Sequence, residues 1–486
     1  MEKNIEFSEV NIQKLFGNEA AEDEDPTRLK EYYFKTNIYN QVVADLPLRI
    51  LVGHKGIGKS ALFKIAMDEE TEKGSIALMI QPNDIANIGV DTTNFLLAIR
   101  NWSENIKEII TKKLFSNLGI SQTYASDIKN HDGKISDYVY KVINSLKDEV
   151  YIENRFDSIM RLLENFKVSV YIDDLDRGWQ GKKEDITRIS TLINAVRDLS
   201  NGNRNISFRI ALRSDVYFLY RTSDESTDKI EGSVVWHTWN NHEIFVLLIK
   251  RIETFFGNKV DEELLLHTPQ SQLAKYLYPV MEERFTGRGL WENAPLYKVL
   301  MSLIRKRPRD LVKLCTLAAR NAYLNKSNII QTSDFQAIFE NYSQGRIQDT
   351  INEYRSELPN IESLIMNMKP NKRERTTKEG YVYTTEKLLE KIKNIMGSQQ
   401  FIFANEQRAE AKDLASFLYK VNFLTARKEI SSGKIERKYF EENRYLSSQF
   451  VDFGFDWEIH PAYRWALQPS DQNTIYDSLF LSQDIT

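Results

Sequence analysis

Eight consecutive residues, Gly53-His54-Lys55-Gly56-Ile57-Gly58-Lys59-Ser60, constrain this chain more than any other feature. They fit the pattern G-x-x-x-x-G-K-[ST] without deviation. Average residue usage gives on the order of 0.01 such matches by chance in a chain of this length, so the fit carries information. The apolar run Leu48–Val52 before it reads as a buried strand, and Ser60–Met67 after it reads as a helix. Glycines let backbone N–H groups curl around phosphates without Cβ clashes, and the helix N-terminus adds its positive dipole end. The pattern therefore predicts a phosphate cradle from Gly53 to Ser60, continuing to Ala61 in the first helical turn. Lys59 is expected to bridge the β- and γ-phosphates, and the Ser60 hydroxyl to coordinate Mg²⁺. ATP and Mg²⁺ are the expected ligands. The alternative is a Gly-rich strand–helix turn that binds nothing.

Four further apolar runs share the first half of the chain: Ile76–Ile80, Val168–Ile172, Phe208–Leu212 and the weaker Val234–Trp236. Between the first two lies a helical insertion, Thr92 to Phe166, with breaks near Gly119 and Gly133. Strands alternating with helices predict an α/β fold, a P-loop NTPase with a parallel five-stranded sheet covered on both faces. Val168–Ile172 runs into Asp173-Asp174, as a Walker B strand must. Asp173 would hold Mg²⁺, and Asp174 would orient or deprotonate the attacking water. Otherwise these acids cap a helix or pair with Arg177. Where the P-loop strand neighbours the fourth strand, that strand's end faces the γ-phosphate, which nominates Arg213 as a phosphate sensor. A surface pair with Asp215 is the other reading of Arg213. Arg305 to Asp310 opens a later helix, with Pro308 suited to its first turn. From that helix Arg309 could reach back to the nucleotide, or it belongs to a solvated basic face.

After about Phe256 the strand signal fades, and Leu264–Phe339 reads as helices interrupted at Gly287-Arg288-Gly289. From Glu386 the pattern changes: helices over Lys387–Met396 and Arg408–Tyr419, then extended runs Phe423–Ala426, Ile435–Phe440 and Trp457–His460. Helices followed by a hairpin suggest a winged helix. The expected domains are 1–255 (P-loop ATPase), 256–345 (helical lid), 346–384 (linker or helical connector) and 385–486 (winged-helix-like). Lys369, Lys372, Arg373, Arg375 and Lys378 crowd the linker, and Lys428, Lys434, Arg437 and Lys438 flank the expected wing. These cations could meet duplex phosphates. The chain has 65 basic against 69 acidic residues, and no aromatic–basic interleaving is evident, so a hinge or protein contact is expected ahead of DNA.

Cys315 is the only cysteine, which excludes an intramolecular disulfide or a cysteine zinc cluster. The start, Met1-Glu2-Lys3-Asn4-Ile5-Glu6, lacks a signal-peptide pattern, and no apolar run reaches the ~18 residues a membrane helix needs. A soluble, cytoplasmic protein with no membrane contact is expected.

At several of these positions the chain resembles prokaryotic P-loop ATPases of the STAND and origin-recognition-like AAA+ group. It is most similar to a bacterial family of stand-alone ATPases often encoded beside antiviral defence genes. The resemblance rests on Leu15-Phe16-Gly17 with Ala21-Glu22-Asp23-Glu24, on Lys55–Ser60, and on the string from Asp173 to Trp179. It continues through Leu212–Asp215 and Arg307–Asp310 to Trp457–Pro461. It implies a switch in which ATP closes the nucleotide domain on the lid, with oligomers building the hydrolysis site. It also implies a role in defence or DNA transactions. Classical STAND proteins carry a long repeat-containing sensor after the winged helix; here a separate effector chain is expected instead. A DNA-binding AAA+-type ATPase of replication or repair is the alternative, and a small-molecule P-loop kinase a weaker one.

Overall fold

The computed structural model describes residues 5–19, 23–89, 94–117, 156–157, 160, 166–223, 228–374, 380–431, 434–443, 454–468 and 472–482. Most of the Thr92–Phe166 insertion, with Gly119 and Gly133, therefore lies outside the described residues, as do Ala21, Glu22, Arg375 and Lys378. The chain forms two compact units, one of residues 35–54 and 59–237, the other of residues 1–34, 55–58 and 238–486.

The first of these is built on five parallel strands: β1 (Leu48–Gly53), β2 (Ile76–Ile80), β3 (Val168–Ile172), β4 (Ile206–Arg213) and β5 (Val234–Trp236), in the order β2-β3-β4-β1-β5. Near-continuous apolar runs form these strands because both sheet faces are covered. Ile50, Val52, Val170 and Ile210 share one core with Trp102, Ile106 and Ile110 of the Phe95–Asn117 helix and Leu192 and Val196 of the Lys183–Gly202 helix. Tyr171, which alternates with Val170 and Ile172, meets Phe63 of the Lys59–Glu72 helix edge-on at 5.0 Å. The expected α/β P-loop fold and its five strands are thus present, with ends shifted by no more than two residues.

The other unit contains the helices Glu9–Phe16, Asn241–Phe255, Pro308–Leu324 and Thr332–Tyr354. It also contains strands where helices were expected: β6 (Arg284–Thr286) and β7 (Glu292–Pro295) form a small antiparallel pair. Three or four residues including Asn and Pro carry little intrinsic strand signal. Between them Gly287 lies so close to Phe285 that a Cβ would sit 2.1 Å from its ring, which accounts for the break. Further on, the helices Thr385–Met396 and Ala411–Lys420 accompany a second five-stranded sheet. Its strands are β8 (Val382–Tyr383), β9 (Leu424–Ser431), β10 (Lys434–Lys438), β11 (Asp456–Ile459) and β12 (Leu481–Ser482), in the order β12-β10-β9-β11-β8.

Among the described residues of this unit, one buried ion network centres on Asp310 and another on Glu458. Asp310 pairs with Arg305 at 2.7 Å and with Arg346 at 2.5 Å. Glu458 on β11 accepts from Arg437 on β10 at 2.8 Å and from Arg464 at 2.5 Å, and its side chain is 0% exposed. Arg437 is therefore a core residue rather than a phosphate contact on the wing. Among the described residues, no helix is long and apolar enough to cross a membrane.

Candidate functional site: the P-loop and the strand ends beside it

β1 delivers the chain into the loop, and Gly56 and Gly58 take φ values of 77° and 105°, which side chains with a Cβ rarely adopt. The Lys59–Glu72 helix begins within the motif, so Lys59, Ser60 and Ala61 all sit in its first turn. The Lys59 ammonium donates to the carbonyls of Gly53 at 2.8 Å and His54 at 3.1 Å, which positions the charge across the loop. His54 is buried, and its Nδ1 lies 3.0 Å from the Ser214 hydroxyl just beyond β4.

The strand order decides which other residues join the loop. β4 is the direct neighbour of β1, with Arg213 in register with Gly53. Arg213 makes the expected pair with Asp215, buried rather than at the surface, since the Asp215 side chain is 1% exposed. Its Nε and Nη2 engage Asp215 at 3.0 and 2.6 Å, and its Nη1 donates to Asp176 at 3.0 Å. On the other side of β1, His237 follows β5 and donates its backbone N–H to Val52 at 2.8 Å. Burial, with the Lys59 charge adding to it, pushes His237 down to about 3, so this imidazole is neutral near pH 7.

β3 ends at Asp173, whose Oδ1 accepts the backbone N–H of Asp174 at 2.8 Å. Asp174 has φ 60°, and its side chain, 52% exposed, pairs with Arg177 at 3.3 Å. The pairing with Arg177, one of the expectations for these acids, is present at Asp174. Only Asp173 is partly covered, because the left-handed turn at Asp174 swings the second side chain outward.

The loop tip, Lys55 to Gly58, groups with the second unit. The Lys55 N–H donates to Glu353 at 3.1 Å, and Trp239 Nε1 donates to the Ile57 carbonyl at 2.8 Å. Arg307, whose side chain is 3% exposed, reaches Glu353 at 2.9 Å and the Lys55 carbonyl at 3.3 Å. Arg309 lies over Gly56, where an added Cβ would fall 3.0 Å from Arg309 Cδ, and its Nε donates to the Glu19 carbonyl at 2.9 Å. Of the nominated residues, Arg213 ends the strand beside β1, Asp173 and Asp174 follow β3, which β4 separates from β1, and Arg309 lies over Gly56. Asp176, Ser214, His237, Trp239, Arg307 and Glu353 were not nominated. Asp176 and Arg307 lie inside strings singled out in the sequence, but their roles depend on partners far along the chain.

The residues present suit a magnesium nucleotide. The donors are an ammonium, a hydroxyl in a first helical turn, a partly covered carboxylate at a strand end and a loop whose glycines leave its backbone accessible. No known family profile matches the chain. It is 24% identical, over 97% of its own length and 70% of the relative's, to a transposon gamma-delta 80.3 kDa protein of Escherichia coli (strain K12). Among solved structures it is similar to a Walker-type ATPase of Pyrococcus abyssi, at 13% identity and TM-score 0.42, over 90% of this chain and 99% of that one. It is also similar to the ORC2 protein of Aeropyrum pernix, at 10% identity and TM-score 0.39, over 90% of this chain and 92% of that one. For Cdc6p of Pyrobaculum aerophilum the values are 12% and 0.31, over 96% and 98%.

Proposed function

We propose that this chain is a Mg²⁺-dependent ATPase that works as a nucleotide-driven switch. The observation that carries the reading is the full P-loop on a central parallel strand, with Asp173 ending β3 and Arg213 in register with Gly53. Lys59 neutralises the phosphates and exchanges its bonds to the Gly53 and His54 carbonyls for phosphate oxygens. Ser60 and Asp173 hold the cation, which when bound offsets charge developing on the transferred phosphoryl group. Asp174 orients the attacking water once its pairing with Arg177 yields, and Arg309 completes the phosphate contacts from the Pro308–Leu324 helix. The proposed domains are 1–255, 256–345, 346–384 and 385–486, the last a winged helix, and the active form is a homo-oligomer.

Thermal denaturation with and without ATP·Mg tests the site. Wild type should gain about 4 kcal/mol with free ATP·Mg near 1,000 times its dissociation constant, and Lys59→Ala should gain little. Equal gains would refute the site. Asp174→Asn should bind ATP yet turn over ~10²–10⁴-fold more slowly.

For what the switch serves, DNA transactions stand ahead of an antiviral complex with a separate effector chain. The curated relative's name ties it to a transposon. Lys369, Lys372, Arg373 and Lys428 are exposed cations in and after the linker, which supports the same reading.

A further inference from the structure

Arg213 carries two carboxylates on one guanidinium. The Asp215 contact is bidentate and buried, with the Asp215 side chain 1% exposed, and it closes over only two residues. The Asp176 contact is a single bond at 3.0 Å to a side chain 19% exposed, on the loop that follows the Walker B strand. A γ-phosphate oxygen reaching the end of β4 would need a donor from Arg213. Outside the bidentate Asp215 pair the guanidinium presents its Nη1 end, where Asp176 already takes one N–H, so a phosphate arriving there meets a second anion on the same nitrogen. Two carboxylates around one cation also leave a formal excess of negative charge facing the phosphate.

Asp176 is tied to more than Arg213. Its carbonyl accepts the Trp179 N–H at 3.0 Å, and the Asp174 carbonyl accepts the Arg177 N–H at 3.1 Å, so residues 174–179 form one compact turn. Trp179 in turn walls a cavity of about 280 Å³, whose other sides include Trp102, Ile85, Arg188, Ile189 and Leu192. Arg188 donates to the Ile85 carbonyl at 2.7 Å and stacks over Trp102 at 5.8 Å, which fixes that opposite wall.

We infer that Asp176 is a positioning residue that competes with the γ-phosphate for Arg213, so that ATP and not ADP frees the 174–179 turn and shifts Trp179 at the cavity wall. This rests on the ATPase reading. The competition is an exchange of hydrogen-bond partners; no covalent bond changes. Asp176 thereby sets how strongly the site prefers a triphosphate to a diphosphate, and it links that preference to a cavity on the far side of the Walker B turn.

The test measures dissociation constants for ADP and for a non-hydrolysable ATP analogue, each with Mg²⁺, in wild type, Asp176→Asn, Asp176→Ala and Lys59→Ala. Removing the competitor in Asp176→Ala should tighten the ATP analogue by roughly three- to tenfold while leaving ADP within about twofold, with Asp176→Asn between. Damage to the fold would weaken both ligands together. The emission that Trp179 contributes, taken as wild type minus Trp179→Phe, should change with the ATP analogue, stay level with ADP, and no longer respond in Asp176→Ala. If Lys59→Ala abolishes binding but the ADP-to-ATP ratio is unchanged or falls in Asp176→Ala, the competition is wrong and the nucleotide site stands. If wild type binds neither ligand, the ATPase reading falls and takes this inference with it.

Discussion

His237 shows how a single buried group can make the site sensitive to acid. Its ordinary value of 6.5 is pushed down to about 3, first by burial and then by Lys59. Between those values the unfolded chain takes up a proton that the folded chain excludes, so stability falls as pH drops from about 6.5 towards 3. The slope is ~1.4 kcal/mol per pH unit for one proton. His237→Gln removes that proton from the balance. Urea unfolding between pH 4 and 7 should show the variant losing stability less steeply than wild type by about one proton, and parallel curves would show that His237 is not excluded from protonation. This group was not legible in the sequence, since a histidine after a weak three-residue strand gives no sign that the strand lies beside the P-loop. Arg213 was legible in position, from the strand count alone. Its capture by Asp176 was not, because that contact needs β3 and β4 to be adjacent, and only the fold supplies that.

At the scale of elements, the region after Glu386 was legible as helices followed by extended runs, and its charges were misread. Arg437 looked like a wing cation because it sits among Lys434, Glu436 and Lys438; the structure turns it inward onto Glu458. Burial pushes the Glu458 carboxyl up, but the Arg437 and Arg464 guanidiniums outweigh it and hold the group down at about 2. A depressed carboxylate contributes stability above its ordinary value and loses it as pH falls, here from about 4.5 towards 2. Glu458→Gln leaves two buried cations without their counter-charge and should cost ~3–5 kcal/mol in denaturant titration. A loss under ~1 kcal/mol would mean that the ion triad contributes little. Reversing Arg437 would wreck this core whatever the domain binds, so a DNA test belongs on Lys428 and Lys438. Lys428 is exposed, and Lys438 is 37% exposed beside Glu436 at 2.7 Å. If duplex DNA is a ligand, Lys428→Glu with Lys438→Glu should weaken binding uniformly across sequences and flatten the salt dependence by about one unit per lost phosphate contact. If DNA binding is unaltered and the ATPase rate changes instead, the hairpin acts as a hinge.

Across the whole molecule, what could be read from the sequence was what each segment does by itself. Strands buried on both faces declare themselves as apolar runs, and the loop between β1 and its helix declares itself by its glycines. Partnerships across the chain do not. The Lys55 N–H and Glu353 are 298 residues apart, and no local pattern couples them. The same distances set a timetable. β1 pairs with β4 and β5 and with neither β2 nor β3, and Ser214, which closes on His54, comes 160 residues later. Arrested nascent chains that have emerged only through residue 205 should leave the P-loop strand open to protease, with or without ATP·Mg. Chains emerged through residue 240 should gain protection. Equal protection at both lengths would mean that β1 finds shelter without its neighbours. At ~5–20 residues per second, a ribosome spends roughly 8–30 s between making the phosphate loop and making the strands on either side of it. For that interval each newly made copy carries an apolar strand with two unpaired edges, so slower translation through this stretch lengthens its exposure to aggregation.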